Sequence, residues 1–131
     1  MTNVDISVDF VPQKLKAYSR NEAFMNITVR NTNESQSYWC EGDVSLTSPL
    51  SLAHDSELNA GRTRIGIVKP GCSSTKQIKL YTRPNNFPDE YKISLVVYAY
   101  DEDGAISERI EKKVGIVCAQ EYAQEQSGVK K

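Results

Sequence analysis

Charge of one sign, histidine, paired cysteines and long apolar runs are scarce in this sequence, and each shortage closes a class of function. Sixteen Lys and Arg stand against seventeen Asp and Glu, a formal charge of −1. No overall excess draws the chain to phosphate backbones or anionic lipid, so nucleic acid is not expected as a partner. The longest apolar run, Ile93 to Tyr100, is interrupted by Ser94 and is far shorter than the roughly 18 residues of a membrane helix. Membrane insertion is therefore not expected. A hydrolytic triad would rest on the single histidine, His54, whose neighbour Asp55 points the other way on an extended chain; no enzyme is expected. Cys40, Cys72 and Cys118 are too few and too scattered for a disulfide framework or, with His54, for a zinc set. They read as separate thiols, and no metal or other cofactor is expected. No basic start and apolar centre of a secretory signal precedes the first strand. The protein is expected to be cytoplasmic, unless it is exported by a leader this chain does not carry.

What is present is alternation. At 131 residues, 39% of them hydrophobic and 25% charged, the chain is long enough to bury roughly two thirds of its unfolded surface in one domain. Val4, Ile6, Val8 and Phe10 alternate with polar residues up to Pro12, the period of a half-buried strand. Ala23, Met25, Ile27 and Val29 repeat the pattern. Tyr38 to Leu46 reads as a third strand in two pieces, with a bulge at Gly42. Thr47 to Ala60 is irregular, and Leu50, Leu52 and Leu58 are expected to pack it down. Arg62 to Val68 and Ser74 to Tyr81 are separated by the Lys69-Pro70-Gly71 turn. Tyr91 to Tyr100 is the strongest strand, and the Asp101-Glu102-Asp103-Gly104 turn joins it to Ile106–Cys118 as a hairpin. No helical period intervenes, so the fold class is all-β, an antiparallel sandwich of seven to eight strands over residues 1–118. Residues 119–131 read as a flexible tail.

Trp39 falls twelve residues after Ile27, and Asp89-Glu90-Tyr91-Lys92-Ile93 has the form of a tyrosine corner. In these features the chain resembles immunoglobulin-like sandwiches. The resemblance implies that Trp39 is a core aromatic on the third strand and that Ile27 and Ile93 take the places of the two bridging cysteines. Val29-Arg30-Asn31-Thr32, Val68-Lys69-Pro70-Gly71 and the Tyr100–Glu108 hairpin resemble the CARDB group of archaeal and bacterial adhesion or accessory modules, over roughly residues 4 to 117. That implies binding rather than catalysis.

Acidic residues Asp101, Glu102, Asp103 and Glu108 invite comparison with a calcium site but read as a solvated hairpin tip. Asn26-Ile27-Thr28 and Asn33-Glu34-Ser35 are sequons. A sandwich hides one face of each sheet, which leaves Val96, Tyr98 and Tyr100 on the outer face of the strongest strand. Their cover comes from cross-strand pairing with Tyr81 or the last strand, from the Thr47–Ala60 segment, or from a partner. Val96, Tyr98, Tyr100 and Tyr81 are the candidate binding residues. The expected function is a non-enzymatic module that binds a protein partner or forms a homodimer. The alternative is a carbohydrate-binding accessory domain, using exposed aromatics to stack on sugar rings.

Overall fold

The computed structural model describes residues 3–120. Where the sequence alternates it forms strands: β1 (Val4–Val11), β2 (Lys14–Lys16), β3 (Asn21–Asn31), β4 (Tyr38–Leu46), β5 (Ala60–Val68), β6 (Ser73–Thr82), β7 (Asp89–Tyr100) and β8 (Ile106–Ala119). They make two sheets, ordered β1-β3-β6 and β2-β8-β7-β4-β5. Alternate side chains of each sheet turn inward, and Met25, Ile27 and Val29 from one meet Tyr38, Val44, Ile93, Leu95 and Val97 from the other in a single buried cluster. Ile27 and Ile93 are both buried in that cluster.

β1 ends at Pro12 as expected, but three local features differ from or add to the expectations. Beyond Pro12 the chain crosses to the second sheet and adds β2, which runs parallel to β8 with Leu15 opposite Cys118. This short pair is the one departure from antiparallel pairing among the described strands. The bulge expected at Gly42 lies instead on β5, where the register against β4 slips between Cys40 and Glu41 and Gly66 takes φ 107°, a conformation natural to glycine. β4 is therefore one piece, and Gly42 faces inward where a Cβ would lie 3.3 Å from Leu95. In the Thr47–Ala60 segment Leu50 is buried and Leu52 partly so, while Leu58 is exposed. Ser51 exchanges two backbone hydrogen bonds with Tyr81, capping part of the β6 edge.

Buried polar groups tie the loops to the sheets. Asn31 donates to the Gln36 and Val68 carbonyls and accepts from the Asn33 N–H. Tyr91 Oη donates to the Phe87 carbonyl and accepts from the Phe87 N–H, fixing the entry to β7. At the opposite seam, Glu108 accepts from the Asn3 N–H and Lys112 donates to the Ile6 carbonyl. Two β8 side chains thus occupy a backbone group of the β1 edge and one of the residue just before it, groups that an edge would otherwise offer to another chain. Ala119 still belongs to β8 and accepts from the Ala17 N–H; the rest of the expected tail, from residue 121, lies outside the described residues.

The three thiols are unbridged, Cys40 and Cys118 buried and Cys72 exposed. Burial, with the Glu108 carboxylate as a lesser cause, pushes the Cys40 thiol up to about 11, and burial also raises that of Cys118. Because the thiolate is the reactive species, an aromatic disulfide reagent at pH 8 is expected to titrate one thiol rapidly in the native protein and three in denaturant. Cys72→Ser should abolish the fast phase; two fast thiols in the native protein would contradict this packing.

Candidate functional site

β4 decides what the outer face of the five-stranded sheet looks like. Tyr38, Cys40, Gly42, Val44 and Leu46 point inward, so Trp39, Glu41, Asp43 and Ser45 point outward. Trp39 is therefore not the core aromatic that the resemblance implied: it is 37% exposed, whereas Tyr38 is 1% exposed and fills the interior. The polar company of Trp39 at every second position carried this information, since one strand cannot send Trp39 inward without also burying Glu41 and Asp43.

Trp39 heads an apolar row. In register it stands between Ile67 of β5 and Tyr100 of β7, and Tyr100 stands opposite Ile106 of β8. Ile67 is 63% and Ile106 56% exposed, so an uncovered apolar stripe crosses four adjacent strands. The indole is held in place by its own N–H, which donates to Glu41 Oε2 at 2.7 Å. Glu41 in turn meets Arg62 at 3.3 Å, and Arg62 makes a two-pronged contact with Asp43 at 2.7 and 3.0 Å. The Arg62 hydrogen bonds hold the Asp43 carboxyl below its usual range, so the pair stays charged through neutral pH and loosens only as pH falls through that lowered value.

The candidate residues chosen from sequence separate into four environments. Tyr100 belongs to the stripe. Tyr98, one row below, is overlain by Arg62 at 5.2 Å and Arg109 at 6.0 Å from its ring centre, a cation–π cover that makes the ring less available. Val96 is half-buried between Asp43 and Glu111 in register. Tyr81 is elsewhere altogether: it sits on β6 of the three-stranded sheet, opposite Glu22, edge-on to His54 at 5.5 Å and beneath Lys79 at 5.6 Å. It cannot pair with Tyr98 or Tyr100, because strands of different sheets share no ladder.

The acidic hairpin does not converge either. Asp101 accepts from the Asp103 and Ala105 N–H groups of its own turn, while Glu108 turns inward to Asn3. Among the described residues no three His, Cys, Asp or Glu side chains gather as a metal would require, and no helix is long and apolar enough to cross a membrane. On the first sequon, Asn26 spans the outer face of the three-stranded sheet between Asp9 and Gln77.

No family model and no curated protein matches the chain. Among solved structures, a FixG-related protein from Vibrio parahaemolyticus superposes with a TM-score of 0.53 at 14% identity, covering 90% of this chain and 98% of that one. BslA, a bacterial hydrophobin, superposes with a TM-score of 0.52 at 10% identity, over 92% of this chain and 96% of its own. The likeness is one of fold. At these identities it carries no function across, and the two neighbours differ from each other in kind.

Proposed function

We propose that the protein is a non-enzymatic interaction module of the immunoglobulin-like class, gripping a protein partner with the outer face of its five-stranded sheet. The strand order, three strands facing a five-stranded sheet with β7 at its centre, supports that class, as does the Tyr91 hydroxyl closing on Phe87. It fits the adhesion and accessory modules that the sequence resembles. Three unbridged thiols suit a reducing compartment.

The observation that carries the reading is the Ile67–Trp39–Tyr100–Ile106 stripe. Aromatic anchors ringed by arginine and carboxylate are the composition of interface centres, and an uncovered stripe of this kind is uncommon on a surface that stays in water. The Glu41 bond to the indole fixes the largest ring before any partner arrives, which lowers the ordering entropy lost on contact. A direct test is affinity capture from native extract with immobilised wild type and with a Trp39→Ser/Tyr100→Ser double variant. Proteins retained by the wild type and lost by the folded double variant are the expected result; an unchanged set would sink the reading. Side-by-side exposure of Trp39 and Tyr100 also favours sugar stacking as a second reading, which binding to a glycan array, lost in the same variant, would promote.

A further inference from the structure

We infer that the outer edge of β5 is a further binding site, separate from the stripe, which accepts an extended acidic segment of another protein as an added strand. The backbone of β5 and the groove behind it select that occupant.

The Leu46 N–H donates to the Asn59 carbonyl at 2.7 Å, and this contact sets the parity of the β4–β5 ladder. In an antiparallel pair, residues that exchange backbone bonds alternate with residues that do not. Val44 with Gly61 and Gly42 with Thr63 are therefore bonded pairs, and Ala60, Arg62 and Arg64 turn their N–H and C=O groups away from β4. The other three sheet edges each carry some cover. Lys112 holds the Ile6 carbonyl of β1, Asn21 holds both backbone groups of Lys16 in β2, and Ser51 holds both of Tyr81 in β6. On β5 the one such contact among the described residues is from Ser74 Oγ to the Ile65 carbonyl at 3.4 Å, beyond the open stretch. An edge left bare from Ala60 to Arg64 is a template for strand addition.

Behind this edge the two sheets stand apart. A groove of about 320 Å³ lies between β5 and β6, with Val44, Leu52 and Ile78 as its apolar lining. Gly61 and Thr63 are the residues that β5 turns toward it, opposite the inward Val44 and Gly42. Both are small, which leaves room for alternate side chains of an added strand.

Charge decides what those side chains are. Arg62, Lys76 and Lys79 border the groove, and no Asp or Glu does. Arg62 is engaged by Asp43, and Lys79 by Glu22 at 3.0 Å. Lys76 comes from the inward side of β6, in register with the buried Ile27. It is half-buried and has no hydrogen-bond or carboxylate partner among the described residues. An inward lysine on an edge repels apolar and cationic strands; a strand with a carboxylate at its inward position removes that penalty. A second copy's β5 would bring Gly61 and Thr63 inward and give Lys76 no carboxylate, and in full antiparallel overlap it would set Arg62 against Arg62. β6 borders the same groove, but Ser51 already stands in its outer ladder at Tyr81. The open stretch of β5 spans about 14 Å, so the added strand is short and is expected to exchange rapidly.

The test is amide hydrogen exchange by nuclear magnetic resonance on the isotope-labelled protein, alone and with a blocked decapeptide of alternating threonine and glutamate. In the free protein the Arg62 and Arg64 amides are expected to exchange fast, while those of Gly61 and Thr63 are protected by β4. The peptide should slow exchange at Arg62 and Arg64, and the matching threonine–lysine peptide should leave it unchanged. Lys76→Gln is expected to raise the Kd of the glutamate peptide about tenfold, and Lys76→Glu to transfer the preference to the lysine peptide. Circular dichroism confirms that both variants are folded, and the exchange measurements on wild type need neither. Protection of Arg62 and Arg64 in the free protein would show that the edge is already closed and overturns the inference. So does a glutamate peptide that fails to bind at about 5 mM, or one that binds with no dependence on Lys76. Protection appearing at Gln77 and Lys79 instead would place the strand on β6 and reject β5. Free glutarate binding as tightly as the peptide would show an anion site without strand addition, and rejects the inference as stated.

Discussion

Truncating Tyr38 to alanine is expected to lower the free energy of unfolding by about 3–5 kcal/mol, whereas truncating the larger ring beside it, Trp39, should cost only about 1 kcal/mol. The two residues are neighbours in sequence, and what sets their costs apart is the side of β4 they face. Tyr38 is 1% exposed among the buried residues of both sheets, so its removal leaves a cavity that close-packed neighbours cannot fill. Its hydroxyl reaches Gln36 and Asn33 at the mouth of the core, and those contacts are lost as well. Trp39 lies over the sheet with its N–H on Glu41, and water takes the space it leaves. Urea denaturation followed by far-ultraviolet circular dichroism, which does not depend on the tryptophan, measures both. Equal costs, or a larger one at Trp39, would mean that the outward parity of β4 is wrong, and the apolar stripe would go with it.

Asn86→Ala is expected to cost about 3 kcal/mol or more, although it removes only a small polar side chain from a loop. Asn86 is 1% exposed. Its amide nitrogen donates to the Ser19 and Arg83 carbonyls and to Thr82 Oγ1, at 2.7, 2.6 and 3.1 Å. Its side-chain oxygen accepts from the Tyr18 N–H at 2.7 Å. Alanine would orphan several buried groups at once, each unsatisfied one costing about 1–3 kcal/mol. It would also release Tyr18, held at φ 62°, where a residue bearing a Cβ is disfavoured without local support. Asn86→Asp retains the acceptor but loses the donors and is expected to be nearly as damaging. Denaturant midpoints within a few tenths of a kcal/mol of wild type for both variants would show that the β2–β3 turn is held by something else.

Much of the strand plan is legible from period alone. Val4–Val11, Asn21–Asn31, Tyr38–Leu46 and Asp89–Tyr100 fall where apolar residues recur every second position, because a sheet with one dry face buries alternate side chains. The β7–β8 turn was also readable, since Asp-Gly accepts the positive φ found at Gly104. β2 was not: three residues pairing in parallel with the end of β8 leave too short a pattern to register. Nor was the position of the bulge, since Gly42 and Gly66 are both glycines within strands and only the pairing of β4 with β5 tells which strand carries the extra residue.

For the candidate site the division is sharper. By itself, the order of residues along each strand determined that this is an all-β chain with an outward Tyr98 and Tyr100, and, read by parity, with Trp39 on the side of Glu41 and Asp43. Tertiary structure alone decided that Tyr81 belongs to the other sheet, that Arg62 and Arg109 cover Tyr98, and that Ile67, Trp39, Tyr100 and Ile106 line up into one stripe. The reason is that alternation is a property of a single strand, set by its own backbone geometry. Register between strands far apart in sequence depends on where turns, bulges and core contacts stop each strand from sliding, and those restraints exist only once the sheets have assembled.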